Sequence, residues 1–258
     1  MAELSAEARG TGAAVLSTQG LGRNFGGLAA VRDVSIALHH GELHALIGPN
    51  GAGKTTLVNM LSGALTPSAG RILLADRDVA GEPAWRMSRL GVGRSFQRTN
   101  IFAPLSVLEN VRLAVQAVRH GLNPLKRADG QSDLVTHATA SLARVGLADL
   151  TNRDAGTLSH GEQRQLEIAM ALAGGAKVLL LDEPLAGMGV EESQRMVQLL
   201  RALAREHAVL LIEHDMDVVF AVADWMTVMA EGSVLAEGKP RAIRANVDVQ
   251  EAYLGEAH

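Results

Sequence analysis

The stretch GPNGAGKTT, Gly48 to Thr56, constrains this chain more than any other. It fits the spacing G-x-x-x-x-G-K-[ST]. It sits between a short apolar run, ELHALIG, and TTLVNMLSGAL, whose apolar residues fall at helical spacing up to a stop signal at Pro67-Ser68-Ala69-Gly70. A strand, a glycine-rich loop and a helix in that order make a cradle for phosphate. The glycines let backbone N–H groups approach the anion, and the helix N-terminus adds its positive end. Lys54 can reach the β- and γ-phosphates, and Thr55 offers a hydroxyl to Mg2+. Gly48, Pro49, Asn50, Gly51, Ala52, Gly53, Lys54, Thr55 and Thr56 are therefore the expected nucleotide-binding residues.

The rest of the chain supplies a sheet to hold such a loop. In the last third, VLLLDEP, VEESQRMVQLLRALARE, AVLLIEH, DMDVVFAVAD, WMTVMAEG and SVLAEGKP read as strand, helix, strand, helix and two strands. Near-continuous apolar strands alternating with helices predict a parallel sheet covered on both faces. Upstream, Ala14 to Leu38 reads as strands broken by a turn at Phe25-Gly26-Gly27, RILLADRDVAG as an edge strand, and VGRSFQ as a short strand running into a loop. SVLENVRLAVQAVR, from Ser106 to about Arg119, is helical, with Ser106 as N-cap and Glu109 three residues on. An exposed loop from Gly121 to Asp133 and a helix around Leu134 to Val145 follow. The 258 residues, 47% of them hydrophobic, support one large α/β domain over 13–258, with a frayed tail at 1–12 and a helical insert over roughly 100–156.

VLLLDEP ends in two acids at what should be the C-terminal edge of the sheet, where ligands of open α/β sheets bind. Adjacent carboxylates there can divide labour. Asp182 would hold Mg2+, and Glu183 would orient or deprotonate an attacking water. Weaker signals lie nearby. Gln97, ending VGRSFQ, offers a carbonyl oxygen to metal or water. His214, ending AVLLIEH, could place an imidazole near a γ-phosphate. Phe25 either stacks on a base through its π-face or simply pins its turn. LSHGEQRQLEIAMAL, Leu158 to Leu172, also has two readings. Ser159 with Glu162 three residues on makes a capping box that any helix can carry. Ser159, Gly161 and Glu162 also open a helix whose N-terminus attracts anions. The residues alone leave both readings open.

Composition narrows the classes. With no cysteine, disulfides, thiolate nucleophiles and cysteine metal sites are excluded. With 24 basic and 28 acidic residues the formal charge is -4, which argues against a nucleic-acid partner. The first residues lack the basic start and apolar core of an export signal, and apolar runs such as AKVLLL are too short to span a bilayer.

In this order the motifs resemble the ATP-binding subunits of ABC transporters, from about Phe25 to Gly255. GPNGAGKTT resembles their Walker A, SFQ their Q-loop, LSHGEQ their signature, LLLDEP their Walker B and IEHD their H-loop. The resemblance implies a P-loop NTPase of ABC type, with a RecA-like core, an antiparallel β subdomain and a helical subdomain. It implies ATP and Mg2+, with Thr55, Gln97 and Asp182 on the metal and Phe25 against adenine. Glu183 would be the catalytic base, His214 would position γ-phosphate and water, and Gln97 would couple the site to a permease. It further implies a head-to-tail pair of cassettes, in which Ser159, Gly161 and Glu162 face the γ-phosphate of ATP held by the other member.

More narrowly, RNFGGLAAVRDVS, GRSFQRTNIFAPLSVLENV, EHDMDVVFAVAD and the terminal EAYLG resemble the branched-chain amino acid uptake subgroup, which also serves other amino acids, amides and urea. Lipopolysaccharide-export ATPases share much of the pattern. The implied partners are transmembrane permease subunits, a second cassette that is a related chain or a second copy, and a periplasmic or extracellular solute-binding protein. The implied location is the cytoplasmic face of the inner membrane, held there through the permease. Two positions depart from the family: His160 stands where the signature commonly has Gly, and Gly189 where the D-loop usually has Asp. Non-transport ABC modules usually carry long coiled-coil insertions or fused cassettes, and a small-molecule kinase would leave LSHGEQ and IEHD unexplained.

Overall fold

The computed structural model describes residues 13–95, 100–119 and 131–254, so the expected tail at 1–12 lies outside the described residues. The chain opens with β1 (Ala14–Phe25), β2 (Leu28–Val34) and β3 (Ala37–His39), then the buried β4 (Leu43–Ile47) and helix α1 (Lys54–Leu61). Next come β5 (Ala69–Leu74), β6 (Arg77–Asp78), α2 (Ala84–Leu90) and β7 (Val92–Arg94). Helices α3 (Val107–Arg119), α4 (Gln131–Arg144) and α5 (His160–Ala173) precede an alternating run: β8 (Val178–Asp182), α6 (Val190–Ala204), β9 (Ala208–Ile212), α7 (Met216–Val222) and β10 (Trp225–Ala230). Strand β11 (Ser233–Gly238) and the short helices α8 (Pro240–Arg244) and α9 (Val247–Leu254) close it.

The central sheet runs β11-β10-β4-β9-β8-β7, parallel throughout except for β11 at one edge. It is parallel and doubly covered because β8 and β9 are buried at every position and send alternate side chains to opposite faces. Val178 and Leu180 join Leu46, Leu57 and Leu61 on one face, while Leu179 and Leu181 join Leu166, Ile168 and Met196 on the other. Each such side chain, fully buried, contributes about 1.5–3 kcal/mol. Asp182 is in register with Ile212, so β8 and β9 end level and present their C-terminal residues together.

A second, antiparallel sheet runs β2-β1-β5-β6, with β3 also on β1. Here RILLADRDVAG is not one edge strand. It is a hairpin in which β5 lies between β1 and β6, and β6 alone takes the edge. Leu74 pairs with Arg77, so the turn is Ala75-Asp76, both at positive φ (46° and 65°). Two-residue hairpin turns need that geometry, but Asn-Gly or Asp-Gly is the sequence that usually announces it.

Helix α1 stops at Leu61, before Pro67, and Ala69-Gly70 already belongs to β5. Helices α3, α4 and α5 pack on one another: Val107, Val111 and Val115 at four-residue spacing meet Leu134, Ala138, Leu142 and Leu166. The Ser106 hydroxyl caps α3, accepting the Glu109 N–H at 3.1 Å. Of the loop expected from Gly121 to Asp133, residues 131–133 already form the first turn of α4, and residues 121–130 lie outside the described residues. Helices α2, α8 and α9 have no counterpart in the sequence reading. Among the described side chains each buries one, Met87, Ile243 and Val249 respectively, too few to mark a 3.6-residue period.

Candidate active site

The phosphate-loop segment leaves β4 and enters α1 over Gly48 to Gly53, pressed against two other strands. Gly48 has φ 148°, and a Cβ there would lie 2.1 Å from the Met229 carbonyl oxygen of β10. Gly53 has φ 98°, and its Cβ would lie 2.5 Å from the Ala30 carbonyl oxygen of β2. Both positions need glycine for conformation and for space. The Gly232 N–H donates to the Ala52 carbonyl at 3.1 Å and ties the loop to the β10-β11 turn. Lys54, 8% exposed, donates from Nζ to the carbonyls of Gly48 (2.6 Å) and Pro49 (2.9 Å), which holds its ammonium within the loop.

One cleft of about 280 Å3 is lined by Ala30, residues 50–56, Asp182, Glu183, Ile212 and His214. Asp182, at the end of β8, is buried. Its N–H donates to Ser95 Oγ at 3.3 Å, and its Oδ2 lies 3.7 Å from Arg94 Nη2. Burial pushes the Asp182 carboxyl above the usual aspartate range, against the pull of the Arg94 charge. Arg94 is held in turn by Asn59 Oδ1 (2.6 Å) and Ser62 Oγ (2.8 Å), and burial lowers its own pKa. Glu183 has left the strand with φ 50°, while its N–H still donates to the Ile212 carbonyl at 2.9 Å. Its Oε1 accepts from His214 Nε2 at 2.8 Å, so the two side chains from neighbouring strand ends meet over the cleft.

The signature residues lie elsewhere. Ser159 and Glu162 form the full capping box: Ser159 Oγ accepts the Glu162 N–H at 3.2 Å, and Glu162 Oε2 accepts the Ser159 N–H at 2.7 Å. Ser159 Oγ also donates to Glu192 Oε1 at 3.1 Å, and the Glu192 side chain lies against Gly161. Ser159, Gly161 and Glu162 line a cavity with Glu192 and Arg195 of α6, none of which lines the phosphate-loop cleft. Within one chain the Ser159 turn and the loop from Gly48 to Gly53 do not share a cavity. His160 is exposed, and Gly189 is the N-cap of α6 with φ −73°, ψ 169° and open space around it.

Phe25 ends β1 at the hairpin turn, 46% exposed, with the Arg23 guanidinium 4.8 Å from its ring centroid; it lies outside the cleft lining. Gln97 lies outside the described residues. Residues that the sequence reading passed over hold the acids in place: Arg94, Ser95 and Asn59 around Asp182, and Glu213 beneath the turn that follows Glu183. The available signal was a charge inside or ending an apolar strand, as Arg94 is in VGRS and Glu213 in AVLLIEH.

Comparison with known proteins gives the same picture at family level. The ABC transporter family model matches residues 31–186, and the model of the branched-chain amino acid ATP-binding cassette transporter matches residues 233–258. The chain is 42% identical over 253 residues to the high-affinity branched-chain amino acid transport ATP-binding protein LivG of Escherichia coli K12, covering 94% of this chain and 98% of that one. It is 40% identical over 254 residues to the corresponding BraF of Pseudomonas aeruginosa, with the same coverage. Among solved structures it is similar to a nucleotide-free ATP-binding cassette from an ABC transporter, with TM-score 0.83, 29% identity and coverage of 95% of this chain and 100% of that one. A cassette in its ADP conformation superposes with the same TM-score at 28% identity and the same coverage.

Proposed function

The chain belongs to the ABC transporter family of ATP-binding cassettes, and on that premise we propose that it is the ATP-hydrolysing subunit of an importer for branched-chain amino acids or related small solutes. The observation that carries this reading is the single cleft in which Lys54, Thr55, Asp182, Glu183 and His214 converge, with Glu183 and His214 in contact at 2.8 Å. Residues 13–258 would act as one ABC domain with a helical insert over about 100–156.

ATP would lie with its phosphates on the loop backbone from Gly48 to Thr56, its γ-phosphate near Lys54 and His214, and its adenine toward Phe25. Thr55 and Asp182 present hard oxygen donors to the same cleft, a set that suits Mg2+, which keeps several of its own waters. Held by Thr55 and Asp182, Mg2+ would supply charge neutralisation for the phosphates. Glu183 takes the proton from the attacking water, and the imidazole of His214 holds the carboxylate and the γ-phosphate in one orientation. Ile212 and Ala30 add apolar surface to the lining of the same cleft.

A second cassette, a related chain or another copy, would complete the site by bringing its Ser159, Gly161 and Glu162 to this γ-phosphate, with the dipole of α5 behind them. The Ser159 hydroxyl would then exchange Glu192 for phosphate. Loss of the γ-phosphate charge after hydrolysis would release the pair and move transmembrane permease subunits between two states. A solute-binding protein outside the membrane would supply the solute. Among the described residues no helix is long and apolar enough to cross a membrane, and attachment to the cytoplasmic face would come through the permease.

The test is Glu183→Gln in the full chain, assayed for phosphate release and for ATP binding. Removing a general base should lower turnover by about 10²–10⁴ while ATP still binds. Turnover at the parent rate would refute the assignment.

A further inference from the structure

Glu213 is a buried carboxylate, 6% exposed, that the proposed chemistry does not use. It follows β9 by one residue and does not line the cleft. Its two oxygens take backbone donors from two separate segments. Oε1 accepts the Leu185 N–H at 2.8 Å, and Oε2 accepts the N–H of His214 at 3.3 Å. These contacts close a ring. The Glu183 N–H is bonded to Ile212, the Glu183 side chain to His214 Nε2, the His214 backbone to Glu213, and Glu213 to Leu185, two residues beyond Glu183.

We propose that Glu213 is a positioning residue, whose carboxylate clamps the turn carrying Glu183 to the strand end carrying His214 and so sets the distance between the two cleft side chains. This rests on the assignment of Glu183 as the base. The Glu183 backbone sits at φ 50°, a conformation that side-chain-bearing residues hold only when their surroundings impose it. The Leu185 N–H is the anchor on the far side of that turn, and Leu185 is itself buried, so water cannot replace the carboxylate there. The phosphate loop has no part in the ring, so loosening it would leave ATP binding intact and displace only the reacting groups.

Glu213→Gln preserves shape and one acceptor oxygen, but it turns an amide donor toward one of the two backbone N–H groups. In the full chain E213Q should lower kcat by about tenfold to a hundredfold, the scale of a misplacement of about 1 Å, with KM for ATP and ATP affinity within about twofold of the parent. Combined with E183Q, where the positioned carboxylate is already gone, E213Q should change the residual turnover by less than about twofold. Parent-like kcat, a loss confined to ATP affinity, or the same fold-loss in both backgrounds would each overturn the positioning role. Should E213Q not fold, E213D, which keeps both acceptors on a shorter stem, decides by the same split between kcat and KM. Parent-like hydrolysis by E183Q alone would instead sink the base assignment on which the proposal stands.

Discussion

Glu183 carries a strain that can be measured independently of catalysis. Its φ is 50°, and the conformation is pinned on both sides: the Glu183 N–H donates to the Ile212 carbonyl at 2.9 Å, and its carbonyl accepts the Ala186 N–H at 3.2 Å. A residue with a Cβ spends about 1–2 kcal/mol to stay in the left-handed region. Glycine does not, although its freer unfolded chain costs about 0.4–1 kcal/mol. Comparing Glu183→Gly with Glu183→Ala cancels the lost contact to His214, because both variants lose it. The difference left is about 0.5–1 kcal/mol in favour of glycine, the reverse of the usual order. For a chain of this size that is about 1–4 °C in melting temperature. The assay is thermal unfolding of the two variants side by side, followed by near-ultraviolet circular dichroism, with phosphate release measured on the same samples. Both should have lost hydrolysis by about 10²–10⁴. An alanine variant that melts as high as the glycine variant, or higher, would mean that the turn relaxes out of positive φ and that the strain argument is wrong.

Two further outcomes follow from the same geometry. Gly48→Ala should abolish ATP binding and lower the melting temperature, since its Cβ would lie 2.1 Å from the Met229 carbonyl oxygen at a φ of 148°; a folded, ATP-binding alanine variant in calorimetric titration would contradict the packing described. His207 donates from Nδ1 to the Ala176 carbonyl (2.9 Å), accepts from Arg144 at Nε2 (3.0 Å), and has its pKa lowered, first by burial and then by the Arg144 charge, with Glu206 and His40 as lesser neighbours. A base with a depressed folded pKa loses stability as pH falls through its unfolded value, so the parent should lose melting temperature between about pH 7.5 and 5.5 more steeply than His207→Gln; equal slopes would refute this.

Much of the candidate site was legible because its chemistry is local. GPNGAGKTT specifies a loop within nine consecutive residues, and VLLLDEP and AVLLIEH each carry a buried strand with the acid or imidazole at or just beyond its end in one word. The doubly covered sheet was legible for the same reason, since near-continuous apolar strands such as VLLLD and AVLLI can only be satisfied between two layers. Elements with one buried side chain, such as α2 and α8, left no period to read. The hairpin of β5 and β6 was missed because Ala75-Asp76 adopts a turn that its residue types do not announce.

Taken alone, the sequence determined the family, the phosphate loop and the pair of acids, because backbone conformation and phosphate chemistry depend on neighbours a few positions away. Tertiary structure alone decided which distant charges those acids would meet. Arg94 reaches Asp182 from 88 positions upstream, and Glu213 reaches Leu185 from 28 positions downstream, because β7, β8 and β9 lie side by side. It also decided that Ser159 and Gly161 face Glu192 and not the chain's own phosphate loop. Whether two charges attract, or a buried carboxylate finds its donors, depends on distance and desolvation in space, and separation along the chain encodes neither.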